Sequence, residues 1–232
     1  MNMKKVIITG ASKGIGKAIA VSLLKQKFGV IGISRSHTIK HKNYLPVIHD
    51  LYSTEGYKEK LDNIIKNYSD IEAVISNAGN GIFDNLENIP SNMILPFFNL
   101  NLISHILISK HLVGYFKKKK KGQFIFMGSE AALESTQKST IYSSAKHGLV
   151  GFVKALRAEC NKSNIRVTII NPGMVRSSFF NSLKFKPGNN KENAISTKDL
   201  SDLVIFLLKS SNNINYSNIV LSPMKKVIDF KK

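Results

Sequence analysis

Tyr142 and Lys146 are the residues of this 232-residue sequence whose types and spacing most directly suggest chemistry. They are four positions apart in a helical pattern, so the phenol and the ammonium lie on one helix face, about 40° apart. A phenol with a pKa near 10 transfers protons poorly at neutral pH unless its anion is stabilised. A lysine charge about 4 Å away contributes on the order of 4 kcal/mol at an effective dielectric constant near 20, so the pattern predicts an acid/base tyrosine with a lowered pKa.

Two further polar residues accompany this pair. Ser129 lies thirteen residues before Tyr142 and follows an apolar strand pattern, and Asn101 lies in a separate helical pattern. Because the chain has 34 lysines and arginines, a tyrosine four residues before a lysine also occurs by chance on a protein surface. The four residues together favour a proton-transfer site.

The first predicted strand runs into a glycine-rich turn that opens directly onto a helix. The turn reads Thr9-Gly10-Ala11-Ser12-Lys13-Gly14-Ile15-Gly16. Free N–H groups and the positive end of the helix dipole at such a position suit the pyrophosphate of a dinucleotide. The spacing G-x-x-x-G-x-G differs from the commoner dinucleotide fingerprint, so a plain glycine turn is the alternative.

The residues after the second predicted strand indicate which dinucleotide is bound. Folds that bind NAD place an Asp or Glu about 20 residues after the glycine turn to bind the ribose hydroxyls, but no acidic residue precedes Asp50. Ser34 and Arg35 occupy that place, and Lys13 adds a charge in the turn. These residues would pair with a 2′-phosphate, so we predict NADP(H) rather than NAD(H) as the cofactor. The alternative is that Arg35 and Lys13 are solvated surface residues.

The elements that must position these residues alternate between short β-branched runs and helical patterns. This order predicts an α/β, doubly wound Rossmann fold with a seven-stranded parallel sheet and helices on both faces. The predicted strands are 5–9, 29–34, 44–49, 71–76, 123–127, 166–170 and 218–221. The predicted helices are 15–27, 54–68, 91–120, 142–162 and 197–210.

No linker, repeat or second core interrupts this alternation, so residues 1–232 are predicted to form one domain. Residues 174–196 are the only long irregular segment, and we predict that they form a substrate-binding loop, because such loops in compact domains are usually functional. Phe179 and Phe180 fit either a lid over an apolar substrate or anchors that dock the loop on the core.

Composition bounds the partners. A net charge of +19 could indicate nucleic acid, an anionic membrane or an acidic partner, but only four of the 34 basic residues are arginine. A solvated lysine-rich surface is therefore expected, an acidic carrier is the alternative, and nucleic acid is not expected. No run of about 18 residues is uninterruptedly apolar and no secretory signal begins the chain, so no membrane span is expected. With a single cysteine, Cys160, a cytoplasmic location is predicted. The six histidines, His105 among them, lack metal-ligand spacing, so no metal site is predicted and surface or loop positions are expected.

Together these residues resemble the short-chain dehydrogenase/reductase family, in its single-domain form, over nearly the whole chain. The glycine turn is similar to the family's T-G-x-x-x-G-x-G, and Asn77-Ala78-Gly79 is similar to its N-A-G after the fourth strand. Ser129 and Tyr142-x-x-x-Lys146 match its catalytic serine and Y-x-x-x-K at the family's spacing. The segment from Asn171 to Ser177 resembles its N-P-G-x-V-x-T.

The resemblance implies roles for these residues. Tyr142 would donate a proton to a carbonyl oxygen while the nicotinamide supplies hydride, and Lys146 would bind the ribose hydroxyls and lower the pKa of Tyr142. Ser129 would hydrogen-bond the substrate oxygen. Asn101, which fits the family pattern better than Asn99 does, would hold a water through a local distortion of its helix. The implied cofactor-binding residues are Gly10, Ser12, Lys13, Gly14, Ile15, Gly16, Ser34, Arg35, Asp50, Leu51, Asn77, Ala78, Gly79, Tyr142, Lys146, Pro172, Gly173, Val175 and Ser177.

The expected function is therefore NADP(H)-dependent hydride transfer between the nicotinamide and a small carbonyl or alcohol substrate. One alternative is a 3-oxoacyl-(acyl-carrier-protein) reductase whose acidic carrier docks near residues 117–121, and another is a catalytically silent cofactor-binding sensor. Residues 214–232 contain no glycine, unlike the glycine-rich last strand of tetrameric family members. A homodimer, a homotetramer and a monomer therefore stay open.

Overall fold

The computed structural model describes residues 3–231 as strands and helices that alternate along the chain. The strands are β1 Lys5–Thr9, β2 Gly29–Ser34, β3 Tyr44–Ile48, β4 Ile71–Ser76, β5 Gly122–Met127, β6 Ile165–Pro172, β7 Val175–Arg176, β8 Phe185–Pro187, β9 Ile195–Ser196, β10 Asn218–Leu221 and β11 Ile228–Phe230. The helices are α1 Gly14–Lys25, α2 Tyr57–Asn67, α3 Ser91–Phe98, α4 Ser104–Lys119, α5 Thr140–Cys160 and α6 Thr197–Lys209. A π-helical turn, Asn99–Ile103, joins α3 to α4.

The main sheet has seven strands in the order β10-β6-β5-β4-β1-β2-β3, and every neighbouring pair is parallel. The predicted seven-stranded parallel sheet is therefore confirmed. The chain moves outward from β1 to β2 and β3, then returns to β4 on the other side of β1. This reversal creates a crevice beyond the carboxyl ends of β1 and β4, which is where ligands bind in open α/β sheets.

Apolar residues on both faces of each central strand explain the two helical layers. In β5, Phe124 and Phe126 pack with α2, α4 and α5, whereas Ile125 and Met127 face α1 and α6. Successive side chains of a strand point to opposite faces, so a strand covered on both sides reads as a continuous apolar run. That run is the signal that made these strands predictable.

The long helix predicted over residues 91–120 is widened at its centre. Pro96 has no N–H to donate, and the chain responds with the π turn that follows it: Ser104 N–H donates to Asn99 O, five residues back. Ser91–Lys119 is long and apolar enough, by length and composition alone, to cross a membrane. In this fold α4 packs against α2, β4 and β5, so the helix is part of the sheet's cover.

The sequence predicts an irregular segment over residues 174–196, but the structure forms three short strands there, β7, β8 and β9. β7 pairs with β9, and β8 pairs antiparallel with β11 from the carboxyl-terminal tail. The Lys231 ammonium donates to Phe180 O and Asn181 O, which fixes the tail on the loop. The tail therefore covers the predicted substrate-binding loop.

Candidate active site

The glycine turn after β1 forms an open seat at the start of α1. Gly10 and Gly14 have φ angles of +71° and +56°, in the left-handed region that favours glycine. A Cβ on Gly16 would lie 2.3 Å from Gly10 O, so the strand and helix can approach this closely only without a side chain. The first turn of α1 carries no acidic residue, and Lys13 precedes it. These residues fit the pyrophosphate of a dinucleotide.

Hydrogen bonds fasten the glycine turn to the segment after β4. Thr9 Oγ1 accepts from the N–H groups of Asn77 at 2.9 Å and Ala78 at 3.0 Å, and Asn77 Nδ2 donates to Thr9 O at 3.0 Å. The Asn77 side chain also lies 3.0 Å from where a Cβ on Gly10 would stand. Asn77 thus supports the seat through its side chain, a role that the N-A-G motif alone did not specify.

Two cations lie near the seat without carboxylate partners among the described residues. Arg35 is exposed after β2, with its guanidinium 5.3 Å from the centre of the Tyr52 ring, and Lys13 is exposed in the glycine turn. Ser34 is buried and donates to Ser36 O at 3.0 Å. This arrangement fits a phosphate group at the end of β2.

The remaining predicted cofactor residues lie along the same strand edge but differ in exposure. Asp50 is exposed and accepts a hydrogen bond from Tyr52 N–H at 3.1 Å, whereas Leu51 is buried in the core. Ser177 lies beside the glycine turn, with its Cβ 3.8 Å from a Cβ built on Gly14. Ser12 and Gly173 are partly buried, Ile15 packs on the core from α1, and Pro172 and Val175 are buried.

Lys146 and Asn101 meet at Gly79, and Tyr142 lies beside Lys146. Lys146 Nζ donates to Met127 O at 3.1 Å and lies 5.9 Å from the centre of the Tyr142 ring. A Cβ on Gly79 would stand 2.9 Å from Asn101 Oδ1 and 3.6 Å from Lys146 Nζ, so the glycine makes room for both polar groups. The structure therefore brings together three of the predicted catalytic residues, Tyr142 and Lys146 from α5 and Asn101 from the π turn.

Ser129 occupies the end of β5 beside this cluster. Its Oγ accepts from Ala131 N–H at 3.2 Å and caps the short turn that follows. The Ser129 backbone N–H donates to Asn171 Oδ1 at 3.1 Å. These two bonds hold the serine in place while its hydroxyl hydrogen can still be donated to another group.

The π turn fixes the Asn101 side chain. Asn101 is fully buried, its Nδ2 donates to Asn80 Oδ1 at 3.0 Å and to Phe97 O at 3.1 Å, and its Oδ1 accepts from Asn80 N–H at 3.2 Å. Asn99 instead donates to Tyr52 O at 3.0 Å. The expected helix distortion is present, and Asn80 is a partner that the sequence reasoning missed, although it directly follows the N-A-G motif.

His105 corrects the expectation of surface or loop histidines. It is fully buried one turn after Asn101, with Nδ1 2.7 Å from Ser76 Oγ and Nε2 3.0 Å from Ala78 O. Burial and then the Lys146 charge lower its pKa to about 3, so the ring is neutral. A carbonyl can only accept, so Nε2 carries the proton and holds the backbone after β4.

The pKa of Tyr142 is shifted in the direction opposite to the prediction. Burial raises it to about 12, the Glu130 carboxylate adds to the rise, and the neighbouring Ser129 hydroxyl partly opposes it. Burial also lowers the pKa of Lys146 to about 8. Removing both groups from water favours their uncharged forms, and this effect sets the direction of both pKa shifts. At neutral pH the phenol is protonated and the amine is mostly charged.

Residues 174–196 bring two aromatic side chains to the site. The Phe179 ring centre lies 6.1 Å from that of Tyr142, and the Phe83 ring, from the segment after β4, lies 5.0 Å from it. Phe180 is buried. Of the two roles that the sequence left open, Phe179 has the position of a lid and Phe180 that of an anchor. Within residues 3–231 no group of three His, Cys, Asp or Glu side chains is placed to share a metal ion.

Comparison with known proteins finds relatives whose similarity covers most of the length of this chain. The family described as short chain dehydrogenase matches residues 4–187. The 3-oxoacyl-(acyl-carrier-protein) reductase of Buchnera aphidicola subsp. Acyrthosiphon pisum is 31% identical over 220 residues, covering 89% of this chain and 90% of that protein. The NADP-dependent 3-hydroxy acid dehydrogenase of Schizosaccharomyces pombe is 26% identical, with 95% and 92% covered.

Solved structures share the fold. The alcohol dehydrogenase of the archaeon Thermococcus sibiricus, complexed with 5-hydroxy-NADP, has a TM-score of 0.86 and 23% identity, and the match covers 97% of this chain and 99% of that one. A short chain dehydrogenase family protein of Francisella tularensis has a TM-score of 0.81 and 25% identity, covering 96% of this chain and 98% of that one.

Burial of Lys146 makes a prediction about stability and pH. Its folded-state pKa of about 8 lies below the ordinary 10.5, so the unfolded chain binds more protons between these values, and this group's contribution to stability rises with pH through that window. We expect Lys146→Met to raise the free energy of unfolding at pH 7 by on the order of 2 kcal/mol, with the gain shrinking toward pH 10.5. Urea denaturation at pH 7 and pH 10 measures it.

Lys154→Met is the matched control, because Lys154 is exposed on the same helix. Its effect should be within about 0.5 kcal/mol at both pH values. A loss of stability in Lys146→Met at pH 7 would contradict the prediction.

Proposed function

Because the chain belongs to the short-chain dehydrogenase family of oxidoreductases, which act on C–OH and C=O groups, we propose that it is an NADP(H)-dependent carbonyl reductase with Tyr142 as the proton donor. The observation that carries this proposal is that Lys146 Nζ lies beside both the Tyr142 ring and Gly79, where it meets Asn101, next to the glycine turn. The phenol and the seat lie at the same edge of the sheet, so a substrate at Tyr142 can also meet the cofactor.

The hydroxyl of Tyr142 supplies the proton in reduction. A pKa of about 12 keeps it protonated at neutral pH, which is the state that a donor to a carbonyl oxygen needs. The Ser129 hydroxyl orients that oxygen by donating a hydrogen bond to it. When bound, the nicotinamide supplies the hydride to the carbonyl carbon, so that C=O becomes CH–OH and NADPH becomes NADP⁺.

Lys146 and Asn101 restore the proton afterwards. The phenolate left on Tyr142 is stabilised by the nearby Lys146 ammonium, and a lysine with a pKa of about 8 readily gives up a proton in turn. Asn101 Oδ1 and Lys146 Nζ both border Gly79, so a water bound to both would link the amine to solvent. The Asn101–Asn80 hydrogen bonds would fix the position of that water.

The preference for NADP(H) is supported by the charges around the seat. Gly10, Ser12, Lys13, Gly14 and Gly16 would hold the pyrophosphate, and Ser34 with Arg35 would bind the 2′-phosphate. An acidic residue at the end of β2 would repel that phosphate, and none precedes Asp50. Several structural neighbours contain NADP or an NADP derivative.

Reduction of a 3-oxoacyl group on a carrier protein is a second candidate, favoured by the 31% identity to a reductase of that name. The fold speaks against the expected carrier docking at residues 117–121. Residues 117–121 precede β5, whereas Ser129 follows β5. The six residues of β5 therefore place them at opposite ends of the strand, roughly 20 Å apart. A carrier would instead meet the lysines of the 174–196 loop and the tail.

A cytoplasmic location and assembly into a homodimer or homotetramer remain part of the proposal. The lone cysteine, Cys160, is buried, which suits a reducing compartment. Val220 and Phe206 are exposed apolar residues on the edge strand β10 and on α6, where a second subunit could cover them.

Removal of the Tyr142 hydroxyl tests the proposed role directly. We expect Tyr142→Phe to lower kcat for NADPH-dependent carbonyl reduction by about 1000-fold, because no other group donates the proton. NADPH oxidation over a panel of carbonyl compounds measures it, with Tyr216→Phe as the control. A Tyr142→Phe enzyme with more than a tenth of the original activity would overturn the assignment.

Arg35 tests the cofactor preference. We expect Arg35→Ala to lower kcat/KM for NADPH by about 10- to 100-fold, because a charge-assisted hydrogen bond to the 2′-phosphate is lost. The value for NADH, which lacks that phosphate, should change less than about threefold. Equal losses of kcat/KM for NADPH and NADH would show that Arg35 does not bind the 2′-phosphate.

A further inference from the structure

Five aromatic rings form a closed circuit that includes the catalytic phenol. Around the circuit the ring centres are 5.0 Å apart for Tyr142 and Phe83, 5.1 Å for Phe83 and Phe185, 5.8 Å for Phe185 and Phe180, 5.2 Å for Phe180 and Phe179, and 6.1 Å for Phe179 and Tyr142. We call this set the aromatic cluster. None of its five rings belongs to either of the two hydrophobic cores that flank the sheet. The four phenylalanine rings are instead grouped around the Tyr142 side chain.

Four of the five rings of the aromatic cluster come from two loops, and Tyr142 comes from α5. Phe83 follows β4, and Phe179, Phe180 and Phe185 belong to residues 174–196. Beside the ring contacts, Lys184 Nζ lies 3.5 Å from Asp84 Oδ2, and the lysine side chain is 86% exposed. Exposed ion pairs of this kind contribute little to stability. The contact between the loops is therefore mainly ring against ring.

Gly81 shows how closely the two loops approach. A Cβ on Gly81 would lie 2.6 Å from the Phe83 ring and 2.7 Å from the Phe179 ring. The two rings thus lie against the same backbone position next to the phenol. A group that enters beside Tyr142 must displace one of these rings or slide between them.

We propose that the carbonyl substrate is uncharged and carries an aromatic or other flat apolar group, which lies against Phe83 and Phe179 while its oxygen meets Tyr142. This inference rests on the proposed carbonyl reduction. Parting the loops exposes ring faces to water, and only a flat apolar group restores the lost ring contacts. An aliphatic group restores fewer of them, because it lacks the ring's area and quadrupole.

Glu130 opposes an anionic substrate at the same place. Its Oε2 lies 2.9 Å from where a Cβ on Gly173 would stand, and its charge reaches Tyr142, since it contributes to the raised pKa of the phenol. Its other oxygen lies 3.0 Å from Lys226 Nζ. Lys226 is therefore already engaged by Glu130, and the Lys146 ammonium is held by Met127 O, so neither cation is free to pair with a substrate carboxylate.

Three α-keto compounds that differ in one feature at a time test this inference. Methyl benzoylformate is aromatic and neutral, methyl pyruvate is aliphatic and neutral, and benzoylformate is aromatic and anionic. With NADPH we expect kcat/KM for methyl benzoylformate to exceed that for each of the other two by about tenfold or more. Calorimetry with the product alcohol, methyl mandelate, and the NADP⁺-loaded protein gives a readout independent of turnover.

Substitutions assign the preference to particular side chains. Phe83→Leu and Phe179→Leu keep apolar bulk but remove the ring, and each should reduce the aromatic-to-aliphatic ratio to within about threefold. Phe206→Leu, at an exposed position of α6 outside the aromatic cluster, should keep the ratio of the unmodified enzyme. Glu130→Gln should raise kcat/KM for benzoylformate relative to its methyl ester.

The outcomes separate this inference from the proposed function. Turnover of all three compounds with an aromatic-to-aliphatic ratio below about threefold leaves the reductase intact and overturns the inference. A large ratio that survives both phenylalanine substitutions overturns the assignment to the aromatic cluster. Binding of methyl mandelate without turnover of any carbonyl supports the aromatic site and overturns the reductase. The absence of both binding and turnover overturns both proposals.

Discussion

Burial of an ammonium and a phenol at the same strand edge is the constraint on which the rest of this structure depends. Lys146 is 4% exposed and Tyr142 is 6% exposed. Removing such groups from water costs free energy, and the structure offsets only part of that cost through the bond from Lys146 to Met127 O. A chain selected for stability alone would place an apolar residue at position 146. Buried ionisable groups with shifted pKa values are typical of functional sites.

The fold supplies the rigidity that such a site requires. Two apolar layers cover the sheet, and Thr9 joins the ends of β1 and β4, so the seat and the catalytic cluster share one framework. The π turn directs Asn101 inward, and neutral His105 holds the adjoining backbone without adding a second charge near Lys146. The four phenylalanines of the aromatic cluster lie outside this framework, in the segment after β4 and in residues 174–196, and loops over a site can open for substrate and close around it.

The sequence predicted the features that depend on local pattern. Apolar runs such as β5 identified the strands of the sheet, and the glycine turn identified a candidate dinucleotide site after β1. The sequence-based prediction missed the features that depend on contacts between distant parts of the chain. β8 and β11 have three residues each and form only because the tail returns over the loop. His105 is buried because it bonds to Ser76 and Ala78 across the fold. The pKa of Tyr142 was predicted in the wrong direction, because spacing along a helix gives the distance to Lys146 but not the burial that outweighs it.

The central claim is that burial, rather than the lysine charge, sets the protonation state of the phenol in the protein alone. Carbon-13 NMR of tyrosine labelled at Cζ measures this directly, with Tyr142→Phe identifying the resonance among the seven tyrosines. The structure predicts that the Tyr142 signal keeps its phenol position beyond pH 11 and titrates at about 12. Titration at or below about pH 10, the ordinary value for tyrosine, would contradict it.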